Sequence, residues 1–129
     1  MTRKIIHTQT APAPVGPYNQ AVVANGMVFV AGQISIDPQT NEVVHLQDVT
    51  QQTQQVMANL EAILNSAGSG WDRVVKTTIF LADLADFATV NQVYAEYFDP
   101  ENAPARACVE VSRLPKDVKV EIDCIATVA

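Results

Sequence analysis

The stretch QAVVANGMVFVAG sets two apolar, β-favouring runs on either side of Asn25-Gly26. Asn-Gly tolerates positive φ at both central positions of a tight type I′ turn, so between apolar runs it is the strongest short-range signal for a β-hairpin. From about Leu46 to Ala67 the hydrophobic period changes. Val49, Val56, Leu60, Ile63, Leu64 and Ala67 recur at helical spacing, with Gln51, Gln52, Gln55 and Asn59 between them, and Gly68 is a natural stop. VVKTTIFLA, 74 to 82, reads as a strand. Asp86 then suits the N-cap of a second helix carrying Phe87, Val90, Tyr94 and Phe98 on one face, with Pro100 as its end. APARACVEV, 103 to 111, and VKVEIDCIATV, 118 to 128, read as two strands separated by the loop SRLPKD. APAPVGP, 11 to 17, is a proline-punctuated loop and DPQTNE, 37 to 42, a turn. Hairpin, helix, strand, helix, strand, strand predicts an α+β domain with two helices on one face of a single sheet.

Composition narrows the class. With 129 residues and 48% hydrophobic content, the chain suits a single domain over 1–129 whose core needs neither disulfide nor metal. Fourteen acidic against eight basic residues give a net charge of −6, and the basic residues are scattered, so nucleic acid is an unfavoured partner. Ile5 and Ile6 fall far short of a signal-peptide core, and no apolar run reaches the ~20 residues of a membrane span. Two cysteines distant in sequence point to reduced thiols in a cytoplasmic setting. His7 and His45 stand alone, without zinc-site spacing, so no metal is expected. P-loop, GxGxxG, GxSxG and HExxH motifs are all absent.

Strand parity raises the functional question. Arg106, Cys108 and Glu110 share one side of their strand, and Glu121 and Asp123 share the side opposite Val118, Val120, Ile122 and Cys124. If the apolar sides lie under the helices, Arg106, Cys108 and Glu121 meet on the helix-free face, and Cys108 and Cys124 point opposite ways. A wet face would make these ordinary surface charges, paired across strands as Arg106–Asp123 and Glu110–Lys119. Against that stand Cys108, Ile125 and several hairpin residues, which would be stranded there unless another subunit covered part of the face. Asn91, on the apolar stripe of the second helix, needs hydrogen-bond partners; a structural tie to a loop is favoured over ligand contact. Cys108 has no nearby His to act as its base, so covalent catalysis is disfavoured.

GPYNQA at 16–21, AGQI at 31–34, KTTIFLADLADFATVNQVYAEYF at 76–98 and, most specifically, PARACVEVSRLPKDVKVEI at 104–122 carry an end-to-end resemblance to the reactive intermediate deaminases, the RidA or YjgF-type imine deaminases. The resemblance implies a fold like the Bacillus-type chorismate mutases. Such a protein is a homotrimer whose sheets form an inner barrel, with helices outside and clefts between subunits. It also places the last strand between the strand after the hairpin turn and strand 74–82, so that Arg106 and Asp123 are not neighbours. By resemblance, Arg106 holds a substrate carboxylate and Glu121 orients or activates water. Backbone groups of Gly32 and Cys108 contact the substrate, Tyr18 walls the cleft, and Asn91 supports the site from behind. Ala31 and Ala107 depart from the hydroxyl residues common at those positions.

The implied reaction is cofactor-free hydrolysis of 2-imino acids or their enamines, such as 2-aminoacrylate and 2-iminobutyrate, to 2-keto acids and ammonia. A non-enzymatic keto-acid sensor using the same cleft is the alternative. Ribonuclease or translation-inhibiting activity and chaperone-like holding, both associated with the family, rank lower.

Overall fold

A computed structural model describes residues 2–129. Its strands are β1 (Lys4–Ile6), β2 (Ala21–Ala24), β3 (Met27–Gln33), β4 (Ile36–Asp37), β5 (Glu42–Val43), β6 (Val74–Leu81), β7 (Ala105–Glu110) and β8 (Val120–Thr127), with helices α1 (Val49–Ser66) and α2 (Phe87–Tyr94). Six strands form one mixed sheet in the order β1-β2-β3-β8-β6-β7, while β4 and β5 pair separately. Only β7, on β6, runs parallel; the other pairs are antiparallel. The α+β architecture with two helices over one face agrees with the sequence expectation, as does the position of β8 between β3 and β6.

Local chemistry explains the element ends. Asn25 (φ 52°) and Gly26 (φ 74°) take the paired positive φ of the tight turn between β2 and β3. The Asp48 carboxylate accepts from the Gln51 amide at 3.0 Å, which starts α1 at Val49 rather than near Leu46. At its other end Gly68 (φ 77°) forms a Schellman stop: Ser69 N–H donates to Leu64 O at 2.9 Å and Gly68 N–H to Asn65 O at 3.1 Å. The second helix differs from expectation. Asp86 already lies in the helical turn Leu84–Asp86 and makes no side-chain cap; Asp83, one turn earlier, accepts from Ala85 N–H at 2.9 Å. Phe98 falls beyond α2, yet its ring still packs on Tyr94 and Trp71, with centroids 4.8 and 5.3 Å away.

The core lies between the sheet and α1. Val120, Ile122, Cys124 and Ala126 alternate inward along β8, each at most 2% exposed, against Val56, Leu60, Ile63 and Leu64 of α1. Within this apolar layer three fully buried amides fasten the surrounding loops. Gln20 accepts from Thr8 N–H at 2.7 Å and donates to Thr8 O at 3.0 Å and Pro12 O at 2.9 Å. Gln52 donates to His45 O at 3.0 Å and accepts from Lys119 N–H at 2.8 Å. Asn59 donates to Ile36 O at 3.0 Å and Ile34 O at 3.3 Å. Gln52 and Asn59 stand among the helical polar residues of the sequence but face the core, because main-chain groups of distant loops need partners there.

The strand parity expected from the sequence is overturned for β7. Thr77 pairs with both Arg106 and Cys124, and Ile79 with both Cys108 and Ile122. Thr77 and Ile79 are buried toward the helices, so Arg106 and Cys108 share the helix-bearing face, whereas Glu121, level with Phe80 and Val109, points to the open face. Arg106, Cys108 and Glu121 therefore do not meet on one face. The error arises because β7 is an edge strand whose apolar side, Ala107 and Val109, faces outward on the open side instead of into the core. Cys108 and Cys124, expected on opposite faces, share one, but β6 stands between their strands and both are free thiols. The cross-strand pairs also fail: β6 separates β7 from β8, and Glu110 instead accepts from Leu84 N–H at 2.8 Å.

Replacing Asn59 by Leu strands two buried carbonyls. We expect a loss of about 2–3 kcal/mol in urea unfolding at unchanged m-value; a loss under about 0.5 kcal/mol would show that water replaces the amide.

Candidate active site

Arg106 leaves β7 toward α2. Its Nη1 donates to Asn91 Oδ1 at 2.6 Å, and its Cζ lies 5.4 Å from the Phe87 ring centroid and 5.0 Å from that of Tyr94. Phe87, Asn91 and Tyr94 occupy positions i, i+4 and i+7 of α2, one face of the helix. The Tyr94 hydroxyl is in turn 2.8 Å from Thr77 Oγ1 in the core. Among the described residues the ion pair within 4.0 Å is Arg113–Asp117, so Arg106 has no carboxylate against it. Beside the guanidinium opens a pocket of about 420 Å³ lined by Asn91, Tyr94, Phe98, Pro100 and Pro104. Asn91 is tied to a side chain of the site itself, not to a loop. Cys108, two residues further along β7, is half-buried, which pushes its thiol up against the opposing pull of Arg106.

Glu121 stands in a second hollow of about 440 Å³, lined also by Tyr18, Ala31, Gly32, Lys116 and the Pro12–Ala13 loop. Gly32 makes room for Glu121, since a Cβ there would be accommodated only with that flexible side chain swung aside. A methyl group built at its α-carbon would overlap the Glu121 carboxylate, with Cδ only 2.9 Å away, so the side chain lies flat on bare backbone. Three stretches around it are fastened by buried amides. Gln20 holds residues 8–12, Asn59 holds residues 34–36, and Gln52 holds Lys119, two residues before Glu121. Tyr18 is half-exposed on the rim.

Burial raises the Glu121 carboxyl above its ordinary pKa, and the neighbouring Asp123 carboxylate pushes it the same way. Asp123 is itself raised by burial, opposed by Thr78 and Lys76. A carboxyl displaced upward toward neutrality is suited to exchange protons with water or with a nitrogen. Among the described residues no cluster of three or more His, Cys, Asp or Glu is placed to hold a metal.

The chain thus gathers the sequence-derived site residues into two groups on opposite faces of one sheet: Arg106 with Asn91 and Cys108, and Glu121 with Gly32 and Tyr18. Sequence reasoning missed the role of Phe87 and Tyr94, which sit on a helical apolar stripe that reads equally well as core, and the nearness of Lys116 to the Glu121 hollow.

This mixed sheet, with a free arginine on its edge strand and a half-buried glutamate on its inner one, defines a class of small α+β domains with a hollow on each face of the sheet. The family model described as Endoribonuclease L-PSP matches residues 8–128. The chain belongs to that family, the RidA/YjgF family of reactive intermediate deaminases. It is 62% identical over 126 residues to a RutC family protein of Synechocystis, covering 98% of this chain and 97% of the relative. It is 51% identical over 125 residues to the 2-iminobutanoate/2-iminopropanoate deaminase of Salmonella typhimurium, covering 95% of this chain and 96% of that enzyme. The crystal structure of Escherichia coli TdcF with bound serine superimposes with a TM-score of 0.89 at 48% identity, covering 98% of this chain and 99% of TdcF.

The raised Glu121 carboxyl has a stability consequence. The folded state holds this proton more tightly than the unfolded chain, so stability falls as pH rises from the ordinary carboxylate range through the raised value. Glu121→Gln removes that penalty. Its melting temperature is expected above wild type at pH 7, with the gap closing near pH 4. An equal or lower melting temperature at pH 7 contradicts the penalty.

Proposed function

We propose that this protein hydrolyses reactive 2-imino acids, such as 2-iminobutyrate and the imine tautomer of 2-aminoacrylate, to 2-keto acids and ammonia. The observation that carries the reading is the separation of charges: Arg106 is ordered without an internal carboxylate, while Glu121 is half-buried and raised in another hollow. A cation kept unpaired suits an incoming carboxylate, and a carboxyl of raised pKa suits water activation. The deaminase name of the half-identical Salmonella relative supports the same chemistry.

Each residue then has a task. Arg106 binds the carboxylate through its fork of donors, leaving the adjacent C=N bond toward Glu121. 2-Aminoacrylate first gains a proton at its terminal carbon and gives one up from nitrogen, becoming the imine. Water adds to the imine carbon as Glu121 takes one of its protons and passes it to nitrogen. The resulting amino-alcohol then gives its hydroxyl proton to nitrogen by way of Glu121 and breaks its C–N bond, releasing ammonia as the C=O bond forms. The imine carbon is already electrophilic, so positioning and one proton relay account for the catalysis. Backbone groups of Gly32 and Cys108 line the path, and Tyr18 closes its rim.

Since one chain keeps the two groups on opposite faces, the complete cleft forms between copies, three of which close their open faces into a barrel. Apolar side chains on that face support the assembly: Ile5, Phe29 and Val109 are each at least 44% exposed. An RNA-cleaving reading, suggested by the family description, draws no support from the net charge of −6 and scattered basic residues.

With 2-iminobutyrate generated in situ by a dehydratase, wild type should accelerate keto-acid formation and Arg106→Ala should lose about a hundredfold in kcat/KM. Undiminished activity in that variant removes Arg106 from the site. Glu121→Gln should still bind keto acid while turnover drops about a hundredfold or more. Light scattering should give three times the 14.0 kDa chain mass; a stable monomer contradicts the shared cleft.

A further inference from the structure

Arg106 is exposed on its edge strand, and among the described residues no carboxylate lies within 4.0 Å of its guanidinium. What surrounds it is a set of neutral groups from one helix face. Phe87 and Tyr94 stand about two turns apart on α2, so ring centroids 5.4 and 5.0 Å from Cζ place the cation between them. Asn91, between the two rings, accepts from Nη1 at 2.6 Å. The arrangement closes on itself, because Tyr94 is fixed by Thr77 Oγ1 at 2.8 Å and Thr77 is the strand partner of Arg106 on β6. Amide oxygen and π-faces attract a cation without cancelling its charge. They also leave the Nε–Nη2 edge uncommitted, the edge a planar two-oxygen anion can meet with two parallel hydrogen bonds.

We infer that Phe87, Asn91 and Tyr94 form a charge-neutral clamp that presents the full positive charge and one chosen edge of Arg106 to the ligand carboxylate. The inference rests on the proposed anion-binding role of Arg106 and extends it to residues that touch no reacting atom. Phe87 and Tyr94 are positioning residues, and neutrality at position 91 sets carboxylate affinity.

The diagnostic variant is Asn91→Asp, which keeps size, shape and the hydrogen bond to Nη1 but gives Arg106 a permanent counter-ion. Calorimetric titration with 2-oxobutanoate should show its affinity reduced at least about tenfold, with the melting temperature equal to or above wild type. A merely structural Asn91 would give unchanged affinity. Phe87→Leu should weaken binding about threefold and Phe87→Tyr should restore it, with kcat held within twofold while KM rises. Arg106 side-chain ¹⁵N resonances report the clamp without ligand: hindered guanidinium rotation is expected in wild type and faster rotation in Phe87→Leu. Free rotation in wild type, or wild-type affinity in Asn91→Asp, overturns the inference. Binding of 2-oxobutanoate that Asn91→Asp weakens, in a protein that hydrolyses no imine, supports the clamp and overturns only the hydrolytic reading.

Discussion

The insertion of β8 between β3 and β6 holds the two halves of the sequence together. Without it the sheet parts into the three strands β1-β2-β3 and the pair β6-β7, and a two-stranded unit is at best marginally stable alone. The last strand of the chain supplies both ladders and, through Val120, Ile122, Cys124 and Ala126, the inner row of the core against α1. The same alternation that buries those four points Glu121 to the opposite face. Packing and chemistry are therefore set by one register, and a slip of a single residue would exchange the glutamate for a core isoleucine or valine.

The two charged groups are treated in opposite ways. Arg106 sits at an exposed edge, where its charge keeps much of its hydration, and its neighbours add attraction without neutralising it. Glu121 lies flat against Gly32, half-buried, with another carboxylate nearby. One group is left without a counter-charge, and the other is made reluctant to carry charge. A protein optimised only for stability would pair them, and the sheet keeps them on different faces.

Much of this was legible in the sequence. Asn25-Gly26 marks the hairpin, Gly68 the end of α1, and the alternation of β8 the core face, because each rests on local backbone geometry or on burial of one clean face. β7 was misread for a related reason. At a sheet edge neither face is sealed by the chain's own core, so alternation of apolar residues does not say which side is inside. The buried amides Gln20, Gln52 and Asn59 escaped notice because their partners are carbonyls and amides 7 to 67 residues away in sequence. Phe87 and Tyr94 escaped because an aromatic stripe at helical spacing looks the same whether it covers a core or a cation.

The length of α2 carries one more consequence. The helix spans Phe87 to Tyr94, so its two terminal residues are the two rings that flank Arg106. Inserting or deleting one residue within it turns everything beyond by about 100°, swinging Tyr94 away from both Arg106 and Thr77. The segment joining β6 to β7 thus acts as a ruler whose graduations are aromatic side chains. Variation in chain length can be absorbed after Phe98, in the exposed stretch leading to β7, and not between the two rings.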